Sequence, residues 1–186
     1  MGEGYTTSQH FLIAELYTGV LDSWEARRIM YKITKDRLDK LSQEAAGNRK
    51  KRAALQLHNH TDPVLKLLNA LEPETYIQPH KHFLKNCQEL FVGLRGRLII
   101  ILFDSQGDII DHVLIGPKEE IVIFEVPEDT WHTILPLENG SLVMEVIKGP
   151  YKKELFKKFA SWAPSEDDHA HIDYRRKLFK LLKLIK

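Results

Sequence analysis

The sequence predicts a mainly β domain, an antiparallel barrel or jelly roll, with helices at both ends of the chain. Three observations predict it. Six short runs rich in β-branched and large apolar residues, 64–71, 90–94, 98–103, 109–115, 121–126 and 142–147, follow one another at close spacing. The segments that separate them, among them EPET, SQGD, GPKE, VPEDT and LENG, are turn chemistry. No helical period stands between the runs, so the strands pair antiparallel and not through crossover helices.

Before the strands, apolar residues recur at Leu21, Trp24, Ile29, Ile33, Leu38 and Leu41 with charges between them, and Gly47-Asn48 supplies a stop signal. This predicts a helical extension over 1–50. The RKKR run at 49–52 reads as a solvated loop, with an anion-binding rim for a phosphorylated ligand as the alternative. The barrel is expected over 51–151. A C-terminal helical segment then fills 152–186, where Tyr174, Leu178, Leu181, Leu182 and Ile185 share one face of a basic amphipathic helix suited to packing or to a dimer contact.

Composition narrows the function classes. The chain has 186 residues, is 43% hydrophobic and carries a formal net charge of +1, enough for one substantial core and without the basic excess of a duplex-binding surface. No nucleic-acid partner is expected. The one cysteine, Cys87, has no internal partner, and no secretory signal opens the chain. Apolar runs fall far short of the roughly 20 residues of a spanning helix. These features predict a cytoplasmic protein without membrane contact.

The chemistry concentrates in YIQPHKHFLKNCQELFVGLRG, 76–96. Side chains on a strand alternate faces, so His80 and His82 point the same way, and the same parity carried backward adds Gln78 and Tyr76. Two imidazoles one residue apart can share an ion, and Pro79 suits a strand end at a barrel mouth. Glu89 opens the next apolar run, and Gly96 closes the turn that follows it. Forty-three residues beyond Glu89, His132 begins another strand behind the turn VPEDT. Should the hairpin shift register by one residue, Gln88 or Cys87 would face the cavity in place of Glu89. Glu89 ranks first of the three because a carboxylate offsets the ion's charge and a thiol selects softer metals.

His80-x-His82 with Glu89 and Gly96 resembles the first motif of the cupins, and Pro127 with His132 resembles the second. The stretches LHNHTDPVLKLLNALEPETYIQPHKH, ELFVGLRGRLIIILFDSQGDI, VPEDTWHTILPLENGSLVMEVIKGPY and KKFASWAP resemble more closely the WbuC family of cupin-fold metalloproteins. They fall within about 52–164, roughly three-fifths of the chain. The resemblance implies a small cupin β-barrel that holds one divalent metal, Fe, Mn, Ni, Co or Zn, through His80, His82, Glu89 and His132. It also implies a link to surface-polysaccharide synthesis. The chain departs from the general cupin pattern in two respects. Six residues, FLKNCQ, stand between His82 and Glu89 where the pattern has fewer, and Glu74 and Asp129 replace glycines.

Further residues are candidates for the surroundings of the metal. Glu145 sits inside the apolar run SLVMEVI, where an unpaired carboxylate is costly, and with Tyr76 it is the candidate proton-transfer group. Gln78, Tyr151 after the last core strand, and His58 in HNH are candidate substrate contacts. Trp131 faces away from His132 by alternation and reads as packing. The expected function is a metal-dependent enzyme, isomerase-like or dioxygenase-like, acting on a small polar ligand such as a sugar derivative, in a homodimer. The alternative is a non-catalytic binding or sensor module, since the fold serves both.

Overall fold

The computed structural model describes residues 32–82, 84–152 and 157–183. Leu21, Trp24, Ile29 and Ile185 therefore lie outside the described residues. Helix α1 spans Lys35–Gly47; the Thr34 hydroxyl accepts from the Arg37 amide at 3.2 Å, and Asp36 sits in the first turn. Such a cap contributes about 1 kcal/mol. The helix ends where Gly47-Asn48 was read as a stop, and Leu41 and Ala45 are its buried residues.

Among the described residues ten strands follow: β1 Arg52–Gln56, β2 Val64–Leu71, β3 His80–Lys81, β4 Glu89–Arg95, β5 Leu98–Phe103, β6 Ile109–Ile115, β7 Ile123–Val126, β8 Trp131–Pro136, β9 Ser141–Lys148 and β10 Lys158–Phe159. They form two five-stranded antiparallel sheets, ordered β1-β2-β9-β4-β7 and β10-β3-β8-β5-β6. The sheets stay separate ladders and do not close into one hydrogen-bonded ring, which is the jelly-roll form of the expected fold. β1 and β10 add edge strands beyond the six apolar runs. The RKKR segment is not wholly loop, because Arg52 opens β1.

Layering explains the sequence texture. Leu71, Phe91 and Val143 of the first sheet meet Leu98, Ile100 and Ile134 of the second in the interior between them. Outside the first sheet, Leu41 and Ala45 of α1 pack on Leu68, Ala70 and Leu142. Helix α2, His171–Leu181, covers the outer face of the second sheet, placing Leu178 against Ile99, Ile101, Phe103 and Leu135. Every residue of β5 is buried as a result, and its run LIIILF is continuously apolar, without alternation.

The buried stripe of α2 differs from the expected one. Tyr174, Leu178 and Leu182 pack inward with Phe179, whereas Leu181 is 57% exposed. Arg175 shifts the stripe by donating to the Pro73 carbonyl and lying over the Phe179 ring at 5.3 Å. Part of the basic character of this segment therefore anchors it to the sheet. Between β4 and β5, Gly96 adopts φ +69°, and a side chain there would strike the Ser141 hydroxyl, so the tight turn requires glycine.

Candidate metal centre

Antiparallel pairing of β3 with β8 sets His80 directly opposite His132. Glu89, first residue of β4, faces them from the other sheet. One ligand atom from each of His80, His82, Glu89 and His132 lies within 4.8 Å of the others, and all four residues are buried. Glu89 Oε2 accepts from His82 Nε2 at 2.8 Å and from His132 Nε2 at 2.9 Å. The far sides of two imidazoles are anchored as ligating histidines require: His80 Nδ1 lies 3.0 Å from the Gln78 carbonyl, and His132 Nδ1 lies 2.9 Å from that of Thr130. The Nδ1 of His80 thus donates a hydrogen bond and leaves its Nε2 lone pair for an ion, whereas His132 Nε2 offers one only when the proton it shares with Glu89 has left.

The longer spacing between His82 and Glu89 is absorbed locally. Asn86 takes φ +55°, a conformation asparagine tolerates, and its amide donates to Glu128 at 2.7 Å, tying this loop to the one before β8. The chain then enters β4 with Glu89 inward. Gln88 is exposed, and Cys87 is buried among Leu65 and Ile147. Neither substitutes for Glu89. Asp129, where the cupin pattern has glycine, adopts φ +54° and pairs with Lys81 at 2.5 Å, so that turn keeps its left-handed residue.

Electrostatics at the cluster are opposed in sign. Burial alone would raise the Glu89 carboxyl, but the hydrogen bonds from His132 and His82 outweigh it and hold the group well below the usual carboxylate range. Burial, reinforced by Lys157 and His132, holds His80 well below the ordinary histidine value and keeps it neutral. His80 Nε2 is buried with no hydrogen-bond partner among the described residues. A buried acceptor left unpaired costs about 1–3 kcal/mol. A divalent cation satisfies all four groups at once, and three imidazoles with one carboxylate are the mixed donor set that such ions take. The residues present fit a metal.

Beside the cluster lies a cleft of about 430 Å³, lined by residues that include Asn69, Gln78, Glu145, Lys157 and Phe159. Phe159 is the register partner of His80, with the rings 6.1 Å apart. Glu145 pairs in register with Phe91, two residues along β4 from Glu89, and is 9% exposed. Burial first, and then the Glu89 charge, push its carboxyl up to about 7. That value suits a group that holds and releases a proton near neutrality.

The other expected contacts lie elsewhere. Tyr76 is not beside the cluster; it stacks on His171 at 5.2 Å, and its hydroxyl donates to the Pro164 carbonyl at 2.8 Å. Residues 75–79 are not strand, so Tyr76 does not share the alternation of His80 and His82. Gln78 lines the cleft, but its amide nitrogen donates to the carbonyls of Ala160 and Ala163 at 2.9 and 3.2 Å, so it holds the wall in place. His58 Nδ1 sits 3.0 Å from the amide and 2.8 Å from the carbonyl of Lys66 and ties β1 to β2. Tyr151 packs on His60 at 5.0 Å, and neither it nor His58 lines the cleft. Trp131 packs outward against Trp162. Sequence reasoning missed Asn69 and Lys157. Asn69 interrupts the inward apolar parity of Leu67 and Leu71, a signal that was there to find, whereas Lys157 has none.

A family model for a domain of unknown function, DUF6016, matches residues 33–115, less than half of the chain. The match takes in His80, His82 and Glu89 and stops before His132. No curated protein matches. Among solved structures, CapF bound to the inhibitor 3-isopropenyl-tropolone is similar with a TM-score of 0.52 and 14% identity, over 61% of this chain and 32% of that one. The capsular polysaccharide assembling protein CapF from Staphylococcus aureus gives 0.51 and 15% over 60% and 32%. SO0799 from Shewanella oneidensis gives 0.50 and 13% over 69% and 85%. The chain spans about a third of the length of the CapF chains it matches. At these identities the likeness shows the cupin fold and no reaction. Among the described residues no helix is long and apolar enough to cross a membrane.

Proposed function

We propose that this chain is a metal-dependent cupin enzyme of the WbuC type, acting on a small polar ligand such as a sugar derivative in surface-polysaccharide metabolism. The observation that carries the reading is His80 Nε2, without a partner among the described residues and buried beside His82, Glu89 and His132, while Phe159, the register partner of His80, lines an open cleft. A purely structural metal site is closed, whereas a catalytic one adjoins space for a ligand. His80, His82, Glu89 and His132 would hold one divalent ion, which supplies Lewis-acid or oxygen-activating chemistry when bound.

The chain's own contribution is positional and protonic. Glu145, its carboxyl pushed up to about 7 by burial and then by the Glu89 charge, holds a proton at the cleft wall and can give or take it at neutral pH. This favours an isomerase-like reaction, in which a proton moves between neighbouring carbons or oxygens, over a dioxygenase. Gln78 and Phe159 shape the wall on the side of His80. Nucleic acid and membranes are not among the proposed partners, the proposed compartment is the cytoplasm, and the proposed assembly is a homodimer. Elemental analysis of the purified protein, repeated on His132→Ala, tests the reading. One ion of Fe, Mn, Ni, Co or Zn per wild-type chain and loss of it in the variant are expected; a wild type that neither contains nor takes up any of these overturns it.

A further inference from the structure

The charged residues around the cleft are not evenly compensated. At its rim Glu166 Oε2 accepts from Arg52 at 2.6 Å and from Lys50 at 2.9 Å, and Asp167 stands 3.9 Å from Lys50. Those cations are already matched. Lys157 is different. It lines the same cleft, and among the described residues no carboxylate comes within ion-pair distance of its ammonium and no hydrogen bond reaches it. Glu145, on the same cleft, feels the Lys157 charge without bridging to it. Lys157 stands just ahead of β10, whose Phe159 is the register partner of His80, so it lies on the strand edge next to the cluster-bearing β3 as well as on the cleft.

An ammonium without a carboxylate partner among the described residues is unfavourable for metal loading at this point. A divalent ion keeps a positive remainder after Glu89 offsets part of its charge, and like charges in a partly desolvated pocket repel strongly. A ligand that brings a negative group removes the conflict. The walls are also suited to a hydroxylated molecule, since the Asn69 amide and the side-chain carbonyl of Gln78, whose nitrogen is already bound, lie on the same cleft as the Phe159 ring.

We infer that the cleft is built for an anionic ligand, a small hydroxylated carboxylate or phosphate ester, whose charged group is held by Lys157 while its hydroxylated part lies toward the histidine cluster. The inference rests on the metal-centre reading above and narrows it to a substrate class. Lys157 is the specificity-determining residue: it selects acidic ligands over neutral ones of the same skeleton. The rim pair Lys50 and Arg52, bound to Glu166, does not contribute.

Three ligands on one carbon skeleton test this: glycerate, glycerol 3-phosphate and glycerol, titrated calorimetrically into the full chain loaded with manganese. At least one anion should bind about tenfold or more tighter than glycerol, the span expected for one hydrogen-bonded charge. The tighter of the two anions identifies the group as carboxylate or phosphate. Lys157→Gln should lose that preference, and Lys157→Arg should keep most of it, both with full metal content by elemental analysis. Equal affinity for all three ligands, no binding by any of them, or an unchanged preference in Lys157→Gln overturns the inference. Titrations of metal-free chain separate the two readings. A chain that takes up no metal yet binds anions through Lys157 sinks the metal reading alone, and a metal-loaded chain without anion preference sinks this one alone.

Discussion

The interior between the two sheets has two ends, built from the same strands and filled with opposite chemistry. At one, Ile100 of β5 faces Ile134 of β8 and packs with Leu71, Leu98 and Val143. Two residues along the same pair of strands, Leu102 faces His132, and the interior turns into a cluster of three imidazoles and a carboxylate. Burial itself stabilises the apolar end. At the polar end burial is a cost, offset in part by the bonds that Glu89 accepts and left open at His80 Nε2. One end holds the fold together, and the other gathers four donors that could hold an ion and leaves one of them unsatisfied among the described residues.

Breaking the apolar end should have the largest effect on stability. Ile100→Ala opens a cavity at a fully buried position and should cost about 3–4 kcal/mol in urea unfolding. Its metal content should stay that of wild type, because the histidines hang on backbone pairings that the variant keeps. His132→Ala should do the reverse. The metal-free variant should unfold close to metal-free wild type, while the stabilisation of about 2–3 kcal/mol that a hundredfold excess of ion over its Kd confers should vanish. Unfolding curves with and without added zinc read both effects.

Glu145 sharpens the contrast through pH. Its folded value of about 7 lies above the ordinary carboxylate value of about 4.3. Across that window the folded chain keeps a proton that the unfolded chain releases, so the stability of metal-free protein falls as pH rises from about 4 to 7 and then levels in this respect. Glu145→Gln removes the slope. The variant should be the more stable of the two near pH 8, and the difference should shrink to nothing near pH 4; a variant that is less stable than wild type at pH 8 would show that the carboxylate is held charged.

The smallest change is expected at the rim. Glu166 is held below the usual carboxylate range, because its bonds from Arg52 and Lys50 outweigh the opposing effect of burial. The stability it contributes is present above the ordinary carboxylate value and is lost as pH falls through the lower folded one. Glu166→Gln should cost about 1 kcal/mol or less at neutral pH and leave metal content alone. Thermal unfolding at pH 7 and pH 3 measures it, the gap closing at the lower pH.

Much of this contrast was legible in the residues. Alternation and turn chemistry located the core strands, and the same-face rule with the motif spacing brought His80, His82 and His132 together with Glu89. The reading over Gln88 and Cys87 follows from which of the three lies inward, and a left-handed Asn86 decides that. Parity misled at Tyr76, because it presumes a strand that 75–79 do not form. Leu181 misled because a helical stripe fixes a face only to within a residue or so, and Arg175 and Phe179 turned it. Lys157 was invisible. It precedes a two-residue strand whose pairing with β3 comes from tertiary contact, and no pattern in KKFASWAP marks it.

X-ray absorption of the zinc-loaded protein tests the four-residue centre most directly. The account predicts a shell of nitrogen and oxygen near 2.0–2.1 Å with the outer-shell scattering of imidazole rings, lost in His132→Ala. A sulfur near 2.3 Å, which only Cys87 or a methionine could supply, or an all-oxygen shell without imidazole scattering, would contradict it.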